Sequence, residues 1–333
     1  MDRAAVLSGL GTWLPPRVVT NDDLASELDT SDEWIRSRTG IGRRHVAEPG
    51  MATSDLAVEA GRRALKSASL DTVDAVIVAT TTPDRPCPGT APLVAAQLGL
   101  DTVAAFDVGA VCTGFLYALA TANGLIAAGT AHTVLVIGAD VYSSILDPQD
   151  RSTRAIFGDG AGAVVLRAGA PHEAGALGPL VLGSDGTGSE LIMVPSGGSR
   201  DPVRAATVQQ ADPYFRMAGK SVFRHAVERM AEAALDAVAQ TGWEAGDIEV
   251  FIAHQANLRI MHAVADRMQL PRSRFPVHLD RVGNTAAASI PLAMADAVTS
   301  GALRPGQRTV AAAFGGGLTW GACTFRWPDV HPV

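Results

Sequence analysis

Cysteine is scarce in this 333-residue chain, which carries only Cys87, Cys112 and Cys323. An odd count without paired spacing excludes a disulfide framework and a cysteine-based metal site. Among the histidines, His45, His132, His172, His225, His262, His278 and His331 show no metal-ligand spacing, so no metal is expected. Positive charge is also short. A net charge of -7 argues against general nucleic-acid binding, and an acidic partner would have to meet a local basic patch. The scarcity of lysine beside arginine reads as composition. No apolar run approaches the length of a membrane span, and "MDRAAVLSGLGTWLPP" lacks the basic region and cleavage site of a leader. That stretch reads as a first strand, in a protein expected to be cytoplasmic. With 47% hydrophobic and 18% charged residues, little room remains for disorder, and the length allows one large domain or two ordinary ones.

What is present is alternation. Short β-branched runs ("VDAVIVAT", "HTVLVIGA", "IEVFIAH", "RTVAAAFGG") alternate with helical patterns, the mark of an α/β layered fold. The chain also resembles itself. "SDLAVEAGRRALKSA" precedes "DAVIVATTT" as "KSVFRHAVERMAEAALDAVAQ" precedes "DIEVFIAHQA". Cys112 lies 17 residues before Gly129, and Asn284 lies 17 before Gly301. This frame predicts two similar halves, 1–170 and 171–333, joined by "AGAPHEAGA" (168–176), and makes Asn284 the counterpart of Cys112.

Cys112 and Asn284 each follow a strand or turn and open a helix, while His254 ends a strand. All three could converge where the halves meet. A lone cysteine or strand-end histidine is more often a core residue, but their joint placement in a duplicated frame favours a nucleophile site. A helix N-terminus would lower a cysteine pKa of ~8.5 by about one unit, raising the thiolate fraction at neutral pH from about 3% to roughly 25%. Two glycine motifs are set aside. "GDGAGA" (158–163) precedes a strand and reads as a turn, and "FGGGLTW" lacks the ending of a phosphate loop.

At these residues the chain resembles the β-ketoacyl-acyl carrier protein synthase III enzymes of the thiolase superfamily over nearly its whole length. Six ordered motifs carry the likeness: "TSDEWIRSRTGI" (30–41), the Cys112 segment, "DRSTRAIFGDGAGA" (150–163), "HQANLRI" (254–260), "GNTAAASIP" (283–291) and "FGGGLTWG" (314–321). The resemblance implies a five-layered αβαβα fold of two duplicated halves and a homodimer. It also implies a decarboxylative Claisen condensation of an acyl-CoA starter with malonyl-acyl carrier protein, in fatty acid initiation or polyketide priming. Metal, nicotinamide and flavin are not required.

The resemblance further implies roles. Cys112 is the acyl-carrying nucleophile, the backbone N–H groups of Cys112 and Gly316 form the oxyanion hole, and His254 and Asn284 stabilise the enolate. Trp34 and Arg151 match the pair that sandwiches the adenine of CoA, while Arg38, Asn257 and Arg259 match contacts at the tunnel mouth. Phe157, Met217, Phe223 and Phe314 match the acyl pocket or tunnel. Arg224, Arg259 and Arg267 match the carrier-protein patch, with Asp266 standing where many relatives carry a lysine. Cys87 stands where many relatives place a Phe that closes the partner subunit's pocket, so either a deeper pocket or a small buried turn residue is expected there. Two rivals remain at this stage. A non-condensing acyltransferase of the same fold needs only the first half-reaction. A cysteine hydrolase is suggested by the order Cys112, His254, Asn284, although the local signature of a papain-type cysteine is missing.

Overall fold

The computed structural model describes residues 3–204 and 209–333. In the first half, strand β1 (Ala4–Trp13) is followed by helices α1 (Asp32–Thr39) and α2 (Thr53–Ala68), then strand β2 (Ala75–Ala79) and helix α3 (Ala91–Gln97). Strand β3 (Ala104–Val108), helix α4 (Gly114–Ala127), strand β4 (Thr133–Asp140), the one-turn helix α5 (Arg151–Arg154) and strand β5 (Gly160–Gly169) complete it. The second half runs β6 (Leu180–Ser184), α6 (Gly219–Gln240), β7 (Val250–Ala253), α7 (Leu258–Arg267), α8 (Ser289–Thr299), β8 (Arg308–Gly315) and β9 (Thr319–Arg326).

The two principal sheets have the same topology. The first is ordered β1-β5-β4-β2-β3 and the second β6-β9-β8-β7, each with two antiparallel pairings followed by parallel ones. The second sheet has no described strand corresponding to β3. The expected division near residue 170 falls on the turn between β5 and β6, and "GDGAGA" is only partly a turn, since β5 begins at Gly160.

Hydrophobic pattern decides the layering. Helix α2 presents Leu56, Ala60, Ala64 and Leu65 to the first sheet from one outer face, and α6 with α7 covers the second sheet from the other. Helices α4 and α8 are apolar over most of their circumference, with Asp296 of α8 paired to Arg281, so they form the middle layer between the sheets. Phe115 and Leu116 of α4 are fully buried there, each contributing roughly 2 to 3 kcal/mol of transfer free energy. Strands β2 and β4 are buried on both faces, which explains why they read as continuous apolar runs rather than alternating ones.

The middle layer is narrow because small residues line it. A Cβ on Gly138 would lie 2.4 Å from the carbonyl oxygen of Ala287, and one on Gly315 would lie 2.9 Å from the backbone nitrogen of Cys112. Each half therefore presses a strand-end glycine against the helix-opening turn of the other.

Candidate active site

Both middle-layer helices open in the same unusual way. A 3-10 turn, Val111–Thr113, precedes α4, and a second, Ala286–Ala288, precedes α8. Val111 has φ 49° and Ala286 φ 47°, left-handed values that a β-branched residue such as valine rarely adopts. The turns thus superpose Cys112 on Ala287 and not on Asn284. Counting back from Gly129 and Gly301 gave the other answer because α8 is shorter than α4, with 11 residues against 14. The expected equivalence of Cys112 and Asn284 is corrected accordingly: Asn284 lies just ahead of the second turn.

Their side chains nevertheless meet. Cys112, His254 and Asn284 line one cavity of about 150 Å³, together with the expected Phe157, Met217, Phe223, Phe314 and Asn257. Several lining residues were not foreseen. Tyr142 stacks on Phe157 with ring centroids 4.4 Å apart, and Phe215 meets both edge-on. The phenol oxygen of Tyr142 is buried with no hydrogen-bond partner among the described residues. Tyr142 lies two residues beyond the end of β4, a placement periodicity does not flag.

Cys112 is buried, and that burial, aided by the Asp140 carboxylate, pushes its pKa up to about 12. This runs against the expected depression: Cys112 sits in the 3-10 turn before α4, in an apolar enclosure, where desolvation of the thiolate and the Asp140 charge both raise its pKa. Gly316 directly follows β8, whose last residue Gly315 abuts the Cys112 turn. Thr319 Oγ1 fastens this region, lying 2.7 Å from Thr113 Oγ1, 3.0 Å from Gly316 O and 3.3 Å from Ala110 O.

His254 extends β7 through its N–H to Ala312 O at 2.8 Å. Its Nδ1 lies 2.6 Å from Ser289 Oγ, and burial lowers its pKa to about 3, so the ring is neutral. When Ser289 donates to Nδ1, the ring proton resides on Nε2. Asn284 is clamped by its own backbone, with its N–H to Ile156 O at 2.9 Å and its carbonyl accepting from Gly158 at 3.0 Å. Its Oδ1 accepts the Ala286 N–H at 2.9 Å, which leaves Nδ2 with no protein acceptor among the described residues. A cysteine-hydrolase triad would need Asn284 to orient the imidazole; Ser289 occupies that position instead.

Beside Asn257 of the cavity, Ser31 caps α1 and Trp34 has two guanidinium groups over its ring, Arg38 at 4.9 Å and Arg151 at 5.1 Å from the centroid. Arg151 is also held by Asp29. Asn257 donates to Arg38 O at 3.1 Å and caps α7 by accepting the Arg259 N–H, so the expected CoA residues form one group. Of the expected carrier patch, Arg267 lies 3.8 Å from Glu232, while Asp266 is neutralised by Arg272 at 2.7 Å. Cys87 is exposed on the loop between β2 and α3 and does not line this chain's own cavity; the expectation of a buried turn residue is corrected. No described helix is long and apolar enough to cross a membrane.

Comparison with known proteins identifies the family and the fold. The family model for 3-oxoacyl-[acyl-carrier-protein] synthase III matches residues 106–186, and that for its C-terminal part matches 238–327. The β-ketoacyl-[acyl-carrier-protein] synthase III 3 of Streptomyces coelicolor is 62% identical over 335 residues, covering 100% of both chains. The corresponding Pseudomonas aeruginosa enzyme is 51% identical, covering 100% of this chain and 99% of its own. A crystal structure of 3-oxoacyl-(acyl carrier protein) synthase III from Pseudomonas aeruginosa PAO1 superposes with a TM-score of 0.93, covering 99% of this chain and 100% of that one at 50% identity. The priming β-ketosynthase of the R1128 polyketide pathway gives 0.92 at 35% identity, covering 98% and 97%. The chain therefore belongs to the β-ketoacyl-[acyl-carrier-protein] synthase III family of condensing acyltransferases, with their thiolase fold.

Proposed function

We propose that this chain condenses an acyl-CoA starter with malonyl-acyl carrier protein through an acyl-Cys112 intermediate, in fatty acid initiation or polyketide priming. The observation that carries the reading is the convergence of Cys112, His254 and Asn284 on one apolar cavity, with His254 neutral and the Asn284 amide nitrogen unengaged.

In the first half-reaction Cys112 Sγ attacks the thioester carbonyl, the oxygen develops charge against the N–H groups of Cys112 and Gly316, and CoA departs carrying the thiol proton. With its pKa raised by burial, Cys112 rests as the thiol on this reading. In the second, the malonyl group loses CO2 and charge collects on its thioester oxygen, which His254 Nε2 and Asn284 Nδ2 are assigned to bind. The carbanion attacks the acyl-Cys112 carbonyl, and the released thiolate takes a proton from solvent. Decarboxylation itself supplies the carbanion, so the reaction asks for no metal or redox cofactor.

The finer assignments belong to the same reading. Trp34, Arg38, Arg151, Asn257 and Arg259 hold CoA, Arg224, Arg259 and Arg267 receive the acidic carrier, and Cys87 reaches the acyl pocket of a partner subunit in a cytoplasmic homodimer. Exposure of Cys87 on a loop is compatible with burial against a second copy. Intact-mass measurement with a panel of CoA thioesters tests the whole. Cys112 should gain the acyl mass and lose it on addition of malonyl-carrier with formation of the 3-ketoacyl product; loss by hydrolysis, or transfer without condensation, would overturn the reading.

A further inference from the structure

Asp140 closes β4 and is fully buried, yet every partner of its carboxylate is neutral. Oδ1 accepts the Thr81 N–H at 2.7 Å and lies 3.3 Å from each of the hydroxyls of Thr80 and Thr82. Oδ2 accepts the Ala287 N–H at 3.0 Å. Ala287 occupies in the second helix-opening turn the place Cys112 occupies in the first. One fold thus offers two equivalent N–H groups. That of Cys112 is the one assigned to a substrate oxygen, and that of Ala287 already holds an internal carboxylate.

We infer that Asp140 is the positioning residue for the condensation step, a buried carboxyl group that fixes the Ala286–Ala288 turn and, through it, the side-chain amide of Asn284 against Cys112. The linkage is short. The Ala286 N–H binds Asn284 Oδ1 and the next N–H in the chain, that of Ala287, binds Asp140. With the turn fixed, the Asn284 oxygen is committed to Ala286 and its Nδ2 is the atom left for an enolate oxygen. The carboxylate has a second effect of opposite sign. Its negative charge works against ionisation of Cys112, so its removal should ease thiolate formation while slowing condensation. The other titratable groups in this interior are Tyr142, which also feels Asp140 and Cys112, and His254, which stays neutral.

The inference rests on the proposed role of Asn284, and the experiment separates the two. Asp140→Asn keeps the volume but cannot accept from both Thr81 and Ala287, because one of its two terminal atoms is a donor. Full-length variant and wild type are loaded with acetyl-CoA, or with whichever panel thioester labels wild type, and discharge by malonyl-carrier is followed in single turnovers. Discharge should slow at least tenfold, loading should change less than threefold, and the pH profile of Cys112 alkylation by iodoacetamide should move to lower pH. Unchanged discharge, equal loss of loading and discharge, or an unmoved alkylation profile would overturn the inference. Should Asp140→Asn fail to fold, Thr82→Val, which removes one hydroxyl beside Oδ1, should give the same signs in smaller measure, and no change would count against the inference. If Asn284→Ala itself leaves condensation intact, the role of Asn284 fails instead.

Discussion

The two helix-opening turns share a backbone and differ in what their N–H groups are for. In the first half the turn presents a thiol and a strand-end glycine, Gly315, from the other half. In the second, the turn presents Ala287, Gly138 presses on its carbonyl, and Asp140 takes its N–H. Duplication therefore supplied two equivalent scaffolds, of which one leaves its N–H to the proposed substrate oxygen and the other gives it to a carboxylate. On the proposed reading a catalytic constellation needs both: the first turn carries the reacting atom, and the second holds still the groups that face it.

The largest effects should come from separating the two turns chemically. Cys112→Ala should abolish acyl-enzyme and cost a factor on the order of 10³ or more in turnover, as loss of a nucleophile does. Asn284→Ala should leave loading of Cys112 within a few-fold of wild type and slow condensation by roughly 10² to 10³, the usual loss for one donor at a developing oxyanion. Intact mass reads the first and single-turnover discharge the second. Equal loss of loading in both variants would collapse the distinction between the turns.

Much of this was legible in the sequence, for identifiable reasons. Strands such as "TVLVIGAD" and helices such as 219–240 announce themselves by apolar runs and periodicity, and the duplication shows in their order. Cys112, His254 and Asn284 stand out as chemistry-bearing residues at element boundaries. The register within the duplication was not legible, because a three-residue difference in helix length changes no hydrophobic pattern and only the positive φ of Val111 and Ala286 reveals it. The direction of the Cys112 pKa was missed since a helix end is visible in sequence and desolvation is not. Tyr142 and Ser289 acquire meaning only from three-dimensional neighbours. Asp140 did leave a trace, as the single charged residue ending a wholly apolar strand, and such a residue is buried only with partners.

The glycines offer the next test. At Gly138 an added Cβ would meet Ala287 O at 2.4 Å, and at Gly315 it would meet the Cys112 nitrogen at 2.9 Å. Either contact requires movement of backbone, and overpacking of this kind costs about 1 to 3 kcal/mol. Gly315→Ala should lower the rate of Cys112 loading roughly tenfold or more, as it displaces the proposed oxyanion N–H. Gly138→Ala should lower stability comparably but act on condensation first, since it displaces the closed turn. Thermal melts with the two single-turnover rates check this, and loss of loading in both alike would remove the functional asymmetry.

A smaller effect is expected at α1, which on the proposed reading serves only the CoA-dependent half-reaction. Trp34→Ala removes the ring that Arg38 and Arg151 flank, and a stacking contribution of about 1 to 1.5 kcal/mol converts to roughly a tenfold rise in KM for acyl-CoA. KM for malonyl-carrier should change little because no adenine is presented there. Equal rises in both would make Trp34 a support for the mouth and not a ligand to the nucleotide.

In the wild-type chain the smallest net effect concerns acid stability, where the buried groups of the two halves pull in opposite directions. His254 has its pKa lowered from 6.5 to about 3, so the unfolded chain binds more protons than the folded one in that window, and its contribution is lost as pH falls from 6.5 toward 3. Asp140 has its pKa raised from 3.8 to about 7, so the folded chain binds more protons there, and stability is lost as pH rises from about 4 to 7. Each slope approaches ~1.4 kcal/mol per pH unit, and over the shared range they largely offset one another. Removing either group exposes the other. Between pH 7 and pH 5, His254→Asn should gain stability relative to wild type and Asp140→Asn should lose it, by about 1 to 3 kcal/mol, or a few degrees in melting temperature. Background titrations common to all three proteins cancel in the differences. Melting curves with parallel pH slopes in wild type and both variants would show that neither group changes its protonation affinity on folding, and would remove the electrostatic part of the contrast between the two turns.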